Sequence, residues 1–276
     1  MGLGGHLMWT AVAKELREKY EDDYGDFKIL PIEGGGNQVC RSEIFENNPN
    51  FTFDDSKDHF KMNLSNPETN YSKGEKDGRV IHRYDKHIID QACEFYQIEK
   101  SKLKCELYFT EEEKAKVDKL ISIDNFITIE PHSKTSYTPN NKYPFDKWQK
   151  IVDEFKSTTF VQIGVEGQEI LDGVINLTGK MSFKEACYCI QKSKLYLGPI
   201  GGLMHGANAV GTKSVIIVTP YQHPRMACYS DNINIRIGND VEFDKYSGTL
   251  GYNQELDDII NNHNEVEIIK AIDSLQ

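Results

Sequence analysis

The chain lacks a basic excess, a long apolar run and any closely spaced cysteine pair, and each absence removes a class of function. Among its 276 residues, 43 are Asp or Glu and 32 are Lys or Arg, for a formal net charge of −11. A nucleic-acid binder presents a basic face to phosphates, so the acidic balance argues against one, while leaving room for a single basic pocket that takes one diphosphate. No apolar stretch approaches the roughly 18–20 residues that cross a bilayer. Met1 is followed directly by glycines and an amphipathic helix, with no secretory leader pattern. The six cysteines, Cys40, Cys93, Cys105, Cys187, Cys189 and Cys228, form neither a CxxC pair nor a zinc-type spacing. They read as free thiols in a reducing, cytoplasmic compartment, where the sequons at Asn50, Asn63, Asn70 and Asn176 carry no glycan. No Gly-x-Gly-x-x-Gly with an acidic residue about 20 positions on opens either half, which argues against a dinucleotide oxidoreductase.

What is present is the patterning of a folded α/β protein, with 38% hydrophobic and 11% aromatic residues to supply a core. The most informative stretch runs from Leu195 to Val218. KLYLG reads as a buried strand, Ile200-Gly201-Gly202-Leu203-Met204-His205 as a glycine turn, HGANAVG as a small-residue helix and SVIIVTP as a second strand. Strand, turn, helix and strand make a βαβ unit, whose crossover dictates parallel pairing. Paired glycines let the backbone approach a ligand, and free N–H groups at a helix N-terminus favour an anion. A tight turn with no ligand is the other reading.

Residues 1–20 read as a glycine turn leading into a helix with Leu7, Ala11 and Leu16 on its apolar face. Such turns follow a buried strand and none precedes this one, so the N-terminal sheet is expected to lack its first strand and to expose its edges. Residues 27–32 read as a strand, 33–37 as a loop, 43–53 as a helical turn and strand, and 54–80 as a long polar loop. A helix over 87–98, a strand at 107–109 and a charged helix over 111–121 follow. The second half begins near residue 124 with the strand FITIEPHS, the polar loop KTSYTPNNKYPF, the helix DKWQKIVDEFK and the strands TFVQIG and VINLTGK. Ser182, with Glu185 three residues on, opens the next helix as a capping box. NINIRI and EVEIIKAIDSLQ supply a last strand and helix. Strand–helix alternation in both halves predicts two Rossmann-like domains, 1–122 and 123–276.

PHS after its strand, NKYPFDKWQKIV, VQIGVEGQE, LTGKMSFKEA and GPIGGLMHGANAVGTKSVII, with GLGGHLMWTAVAKELRE at the start, resemble in order the motifs of glycosyltransferase family 9. These are the ADP-heptose:lipopolysaccharide heptosyltransferases and their relatives. The likeness covers most of residues 1–15 and 124–225. It implies a GT-B fold, two facing Rossmann-like domains with parallel sheets and a cleft between them. The N-terminal domain would hold the acceptor and the C-terminal domain a nucleotide-diphosphate sugar. It implies inverting transfer, in which an acceptor hydroxyl attacks the anomeric carbon as the nucleotide diphosphate leaves. No metal or other cofactor is called for, because helix N–H groups and a lysine stabilise the leaving phosphates, and the metal-binding Asp-x-Asp of the other large glycosyltransferase fold is absent. The acceptor is a glycan or a glycolipid, the latter bringing peripheral contact with a membrane.

By the same resemblance, Gly201, Gly202, Leu203 and Met204 offer backbone N–H groups to the diphosphate and His205 a side-chain donor. Lys142 matches the phosphate-side lysine, or is an ordinary loop lysine. Ser133 bonds a phosphate, or is a turn serine. Glu166 matches the ribose-binding glutamate, with Glu169 close enough to compete, and Trp148 reads as core. Arg83, Asp85 and His87 reach an acceptor, or cap a helix. Two departures stand out. Gly5, beside Gly4 on the acceptor side, occupies the place of the family's catalytic Asp, and Ile200 and Gly201 replace its Asp-Thr. His6, adjacent to the lost carboxylate, takes the base role, since imidazole accepts protons near neutral pH, or it faces the sheet without a role. The alternative to catalysis is a relative that binds a nucleotide sugar or glycan without turnover, which the two lost carboxylates favour.

Overall fold

A computed structural model describes residues 2–35, 38–56, 59–134 and 138–275. Parts of the expected loops at 33–37, 54–80 and 134–145, and Met1 itself, lie outside them.

The N-terminal half opens with α1 (Leu3–Tyr24), followed by β1 (Ile29–Glu33), β2 (Gln38–Val39), β3 (Phe60–Asn63), the pair β4 (Ser72–Lys76) and β5 (Arg79–His82), α2 (Ile88–Phe95) and α3 (Glu111–Leu120). The expected glycine turn is absorbed into helix, because α1 already begins at Leu3 and holds Gly4 and Gly5 in its first turn. β1 is the centre of a small sheet, parallel to β3 and antiparallel to β2.

Two expectations change here. Residues 54–80 are not one loop. β3 pairs along β1 through the buried Met62, and β4 and β5 form a hairpin. The hairpin follows from Asp77-Gly78, both left-handed at φ 51° and 72°, as a tight reversal of two strands requires. Residues 107–109 lie in no ladder. Just before them, the chain's backbone donors are satisfied by helix side chains: the Cys105 amide donates to Asn208 Oδ1 at 2.9 Å and the Glu106 amide to Thr10 Oγ1 at 2.8 Å.

The second half contains β6 (Phe126–Ile129), α4 (Phe145–Glu154), β7 (Thr159–Gln162), β8 (Ile175–Asn176), α5 (Phe183–Lys192), β9 (Leu195–Pro199), α6 (Gly202–Val210) and β10 (Ser214–Val218). It closes with α7 (Pro224–Ala227), β11 (Ile233–Arg236), α8 (Asp240–Tyr246), α9 (Gln254–Asn262) and α10 (Val266–Leu275). Its six strands are all parallel, in the order β11-β10-β9-β6-β7-β8. From β6 the sheet grows one way through β7 and β8 and the other way through β9 to β11, the doubly wound order that leaves a crevice between β6 and β9 at their C-terminal ends. The capping box at Ser182 is present, with Glu185 N donating to Ser182 Oγ at 3.2 Å and Ser182 N to Glu185 Oε2 at 2.7 Å.

One face of this sheet packs Ile127, Leu197 and Val215 against Trp148, Ile151 and Ile272 of α4 and α10. The opposite face joins Val161, Tyr196 and Ile216 to Met204 of α6 and to Leu7, Trp9 and Val12 of α1 in one continuous cluster. The connection at residues 122–123 falls between α3 and β6, and the apolar core runs across it. Polar links reinforce the junction: the fully buried Lys184 side chain of α5 pairs with Glu113 of α3 at 3.0 Å, and Lys116 pairs with Glu185 at 2.7 Å. Among the described residues no helix is long and apolar enough to cross a membrane.

α1 reaches α6 this closely because Gly4 is bare at the crossing. A methyl group on Gly4 would fall 2.8 Å from Gly202 Cα and 3.2 Å from His205 Cδ2, closer than real packing permits. Gly4→Ala should therefore lower the melting temperature despite alanine's better helix propensity, by a few degrees for an overpacking cost of about 1–3 kcal/mol. Gly2→Ala, where a methyl meets nothing within 4 Å, should not. Equal melting temperatures for the two variants would show the crossing to be loose.

Candidate functional site

The site is built from two helix beginnings that share a design. α1 follows Gly2 and α6 follows Gly201, and neither glycine offers a side-chain cap. Neither first turn contains an acidic residue. The first amides to enter each ladder belong to histidines, His6 N donating to Gly2 O at 3.1 Å and His205 N to Gly201 O at 3.4 Å. The amides of Leu3, Gly4 and Gly5 on one side, and of Gly202, Leu203 and Met204 on the other, therefore precede the ladders of their own helices. Two positive helix ends brought together in this way repel, unless an anion lies near both.

Gly201 is extended, and a methyl there would meet nothing within 4 Å, so the approach to α6 is open at this residue. The side chains of Leu203 and Met204 are buried, which leaves only their backbone for a ligand. His205 is buried too, and its Nδ1 lies 2.7 Å from the Tyr229 hydroxyl. Burial, with His87 nearby, pushes its imidazole down to about 3 and keeps it neutral.

Of the other residues read from the sequence, Ser133, Lys142, Glu166 and Glu169 lie in loops at the C-terminal edge of the parallel sheet. Ser133 is half-buried after β6. Lys142 is exposed, directly after Asn141, whose Oδ1 accepts from Thr219 Oγ1 at the end of β10 at 3.1 Å. Glu166 is exposed after β7, its backbone pressed against Gly179, and Glu169 instead uses its carbonyl to accept from Gln162 Nε2 at 2.8 Å. Trp148 is core, with no exposed surface. Arg83 is held by Asp85 and Glu94, each at 2.7 Å, and His87 caps α2 by accepting from the Ile89 amide at 3.2 Å. His6 is only 8% exposed, with Nδ1 2.8 Å from Ser42 Oγ. On the flank of α1 beside Gly5, a cavity of about 310 Å3 is lined by Met8, Trp9, Thr69, Tyr71 and Ile88 among others.

The structure adds Glu130, which sequence reading passed over. It directly follows β6 at the crevice, and Tyr196 of β9 donates its hydroxyl to the Glu130 carboxylate at 2.8 Å. Gly198 makes this possible, because any side chain there would collide with the Tyr196 ring lying along the strand. Burial pushes the Glu130 carboxyl up to about 7, with the Tyr196 hydroxyl pulling the other way. A lone acid closing an otherwise apolar strand, FITIE, was its only sequence signal.

The sequence model of glycosyltransferase family 9 (heptosyltransferase) matches residues 69–247, from before β4 to the end of the α8 region. The chain belongs to glycosyltransferase family 9. As a family 9 glycosyltransferase it has the GT-B fold of its structural neighbours. A family 9 glycosyltransferase from Veillonella parvula superposes with a TM-score of 0.66 at 16% identity, covering 100% of this chain and 94% of that one. The iron-containing dodecameric glycosyltransferase TibC from enterotoxigenic E. coli superposes with 0.70 at 12% identity, covering 100% and 74%. ADP-heptose lps heptosyltransferase II of E. coli gives 0.51 at 15% identity, over 71% of this chain and 64% of that one. No curated protein sequence matches significantly. The family match starts well after α1, so Gly4, Gly5 and His6 lie outside it.

Glu130 and His205 give this family 9 chain opposed pH dependences. Glu130 binds its proton more tightly folded than unfolded, so its stabilisation is whole below its ordinary value of 4.5 and is lost as pH rises through about 7. His205 contributes stability that is whole above its ordinary 6.5 and drains away as pH falls toward about 3. Glu130→Gln should therefore flatten the decline in melting temperature between pH 5 and pH 8, by roughly 1–3 kcal/mol across that range, while leaving the acid limb unchanged. Parallel profiles for wild type and variant would refute the assignment.

Proposed function

We propose that this family 9 glycosyltransferase moves a sugar, with inversion, from a nucleotide-diphosphate sugar to a glycan or glycolipid acceptor, with no metal on the leaving diphosphate. The observation that carries the proposal is the meeting of two uncapped helix N-termini at Gly4 and Gly202. Amides of Gly201, Gly202, Leu203 and Met204, above the neutral His205, receive the diphosphate, and Lys142 and Ser133 add a charge and a hydroxyl from the sheet edge. Glu166 holds the ribose. A TibC structure in complex with ADP-D-beta-D-heptose supports this donor class.

Residues 123–276 form the donor side and 1–122 the acceptor side, where the cavity beside Gly5 receives the acceptor. The acceptor oxygen bonds to the anomeric carbon opposite the departing group. The old anomeric C–O bond breaks with its electron pair going to the nucleotide diphosphate, and the hydroxyl proton passes to His6. Burial pushes the His6 imidazole down, which keeps it neutral and proton-accepting. Six free cysteines support a reducing, cytoplasmic setting.

The test is a thermal-shift panel of ADP, GDP, UDP, CMP and their sugars, on wild type and Gly202→Asp. One diphosphate at about 100 times its dissociation constant should stabilise by about 2.7 kcal/mol, a rise of several degrees. Gly202→Asp, which puts a carboxylate at the helix end where even a methyl would lie 3.0 Å from Phe183, should abolish the rise. His6→Ala should then slow turnover by about 10²–10⁴-fold. A shift without turnover in wild type would leave a binding-only relative, the reading that the two lost carboxylates, at Gly5 and Ile200, favour. No shift with any nucleotide would overturn the proposal.

A further inference from the structure

Strand geometry sets a polar trio against α1. In the antiparallel pair of β1 and β2, Ile32 faces Val39 and Glu33 faces Gln38, and the Cys40 amide donates to Pro31 O at 2.8 Å. The pleat sends Glu33 and Cys40, diagonal neighbours across the pair, to one face, with Ser42 two residues further on. His6 of α1 covers that face. Its ring lies against Phe45 with centroids 5.4 Å apart, its Nδ1 is 2.8 Å from Ser42 Oγ and its Nε2 is 3.9 Å from Cys40 Sγ. The ligand atoms of His6, Glu33 and Cys40 all fall within 4.8 Å of one another.

We propose that His6, Glu33 and Cys40 form a binding site for one divalent transition-metal ion, with Zn2+ the best match. An imidazole nitrogen, a thiolate and a carboxylate make a three-ligand donor set that leaves a fourth position for water or a substrate oxygen. In tetrahedral zinc sites the bond lengths put nitrogen and sulfur ligands about 3.5 Å apart. The 3.9 Å between Nε2 and Sγ therefore has to close by only a few tenths of an ångström. Ser42 is the outer partner that orients the ring, because an Nδ1–H donated to its Oγ directs the Nε2 lone pair toward Cys40.

Charge is the second argument. Cys40 Sγ and the Glu33 carboxylate lie within 4.8 Å of each other on this face. A dication binds the thiolate and the Glu33 carboxylate together, neutralises both negative charges and releases the Sγ proton to buffer. The inference rests on the trio itself and not on the transferase reading. In that reading, the metal and the acceptor proton compete for the same Nε2.

The experiment titrates metal-free, full-length protein with Co2+ as a spectroscopic probe, then with Zn2+. One equivalent of Co2+ should give a thiolate-to-cobalt charge-transfer band in the near ultraviolet and the intense visible bands of a four-coordinate ion, both erased by one equivalent of Zn2+. Cys40→Ser should remove the charge-transfer band, and Cys228→Ser, the least buried of the other thiols, should leave it unchanged. Glu33→Gln, at the half-buried end of the trio, should retain the wild-type circular dichroism and bind Zn2+ about tenfold more weakly or worse. A wild type without the band, a band that survives Cys40→Ser, or unchanged Zn2+ affinity in Glu33→Gln would each overturn the proposal.

Discussion

The contact of Gly4 with Gly202 is the constraint on which the remaining structure depends. The two helices approach so closely at their beginnings that a methyl on Gly4 would fall 2.8 Å from Gly202 Cα, while one on Gly202 would press Phe183 of α5 at 3.0 Å, and the apolar residues that follow pack in one cluster. Leu7 and Val12 of α1 meet Met204 of α6 in the same cluster as the strand residues Tyr196 and Ile216. A looser crossing would separate the N-terminal helix from the sheet and split that core. The N-caps Gly2 and Gly201 lie in open space just before this crossing, and as glycines they leave the first amides of both helices without capping side chains.

Around this crossing the molecule keeps charge out and neutral polar groups in. His6, His87 and His205 are all buried and all pushed toward the neutral form, largely by the loss of water. Each has a defined partner: a serine hydroxyl, a backbone amide and a tyrosine hydroxyl respectively. Glu130 at the crevice is likewise pushed up by burial. Under the proposed donor reading, a diphosphate entering such a setting would bring the dominant local charge and meet the oriented N–H dipoles of the two helix ends.

Much of this was legible in sequence, and what was legible has a common character. The parallel strands β6, β7, β9 and β10 are mainly apolar runs bounded by loops, with Thr128, Gln162 and Ser214 as buried polar members, because a sheet covered on both faces favours apolar side chains. The Ser182 capping box and the apolar face of α1 are periodic, local signals. The hairpin of β4 and β5 was hidden because its strands are short and polar, although Asp77-Gly78 announces the turn. The 107–109 segment misled in the opposite sense, its apolar residues suggesting a ladder where the neighbouring amides bond to Asn208 and Thr10. Lys142, Ser133 and Glu166 were singled out by motif order, and they lie in loops that follow the parallel strands β6 and β7. Arg83 and Asp85 were equally conspicuous and bind each other.

By itself, then, the sequence determined the α/β class, the doubly wound C-terminal sheet and the glycine-led helices, because each depends on residues adjacent along the chain. Only the tertiary structure decided what those helices face. Nothing in the spacing of His6, Glu33 and Cys40 signals a cluster, since two of its members meet through strand pairing and the third through helix packing. Glu130 and Tyr196 are similarly joined only by the parallel alignment of β6 and β9. Local physics writes the elements. Long-range contact chooses which polar groups become neighbours, and the chemistry of the site follows from that choice.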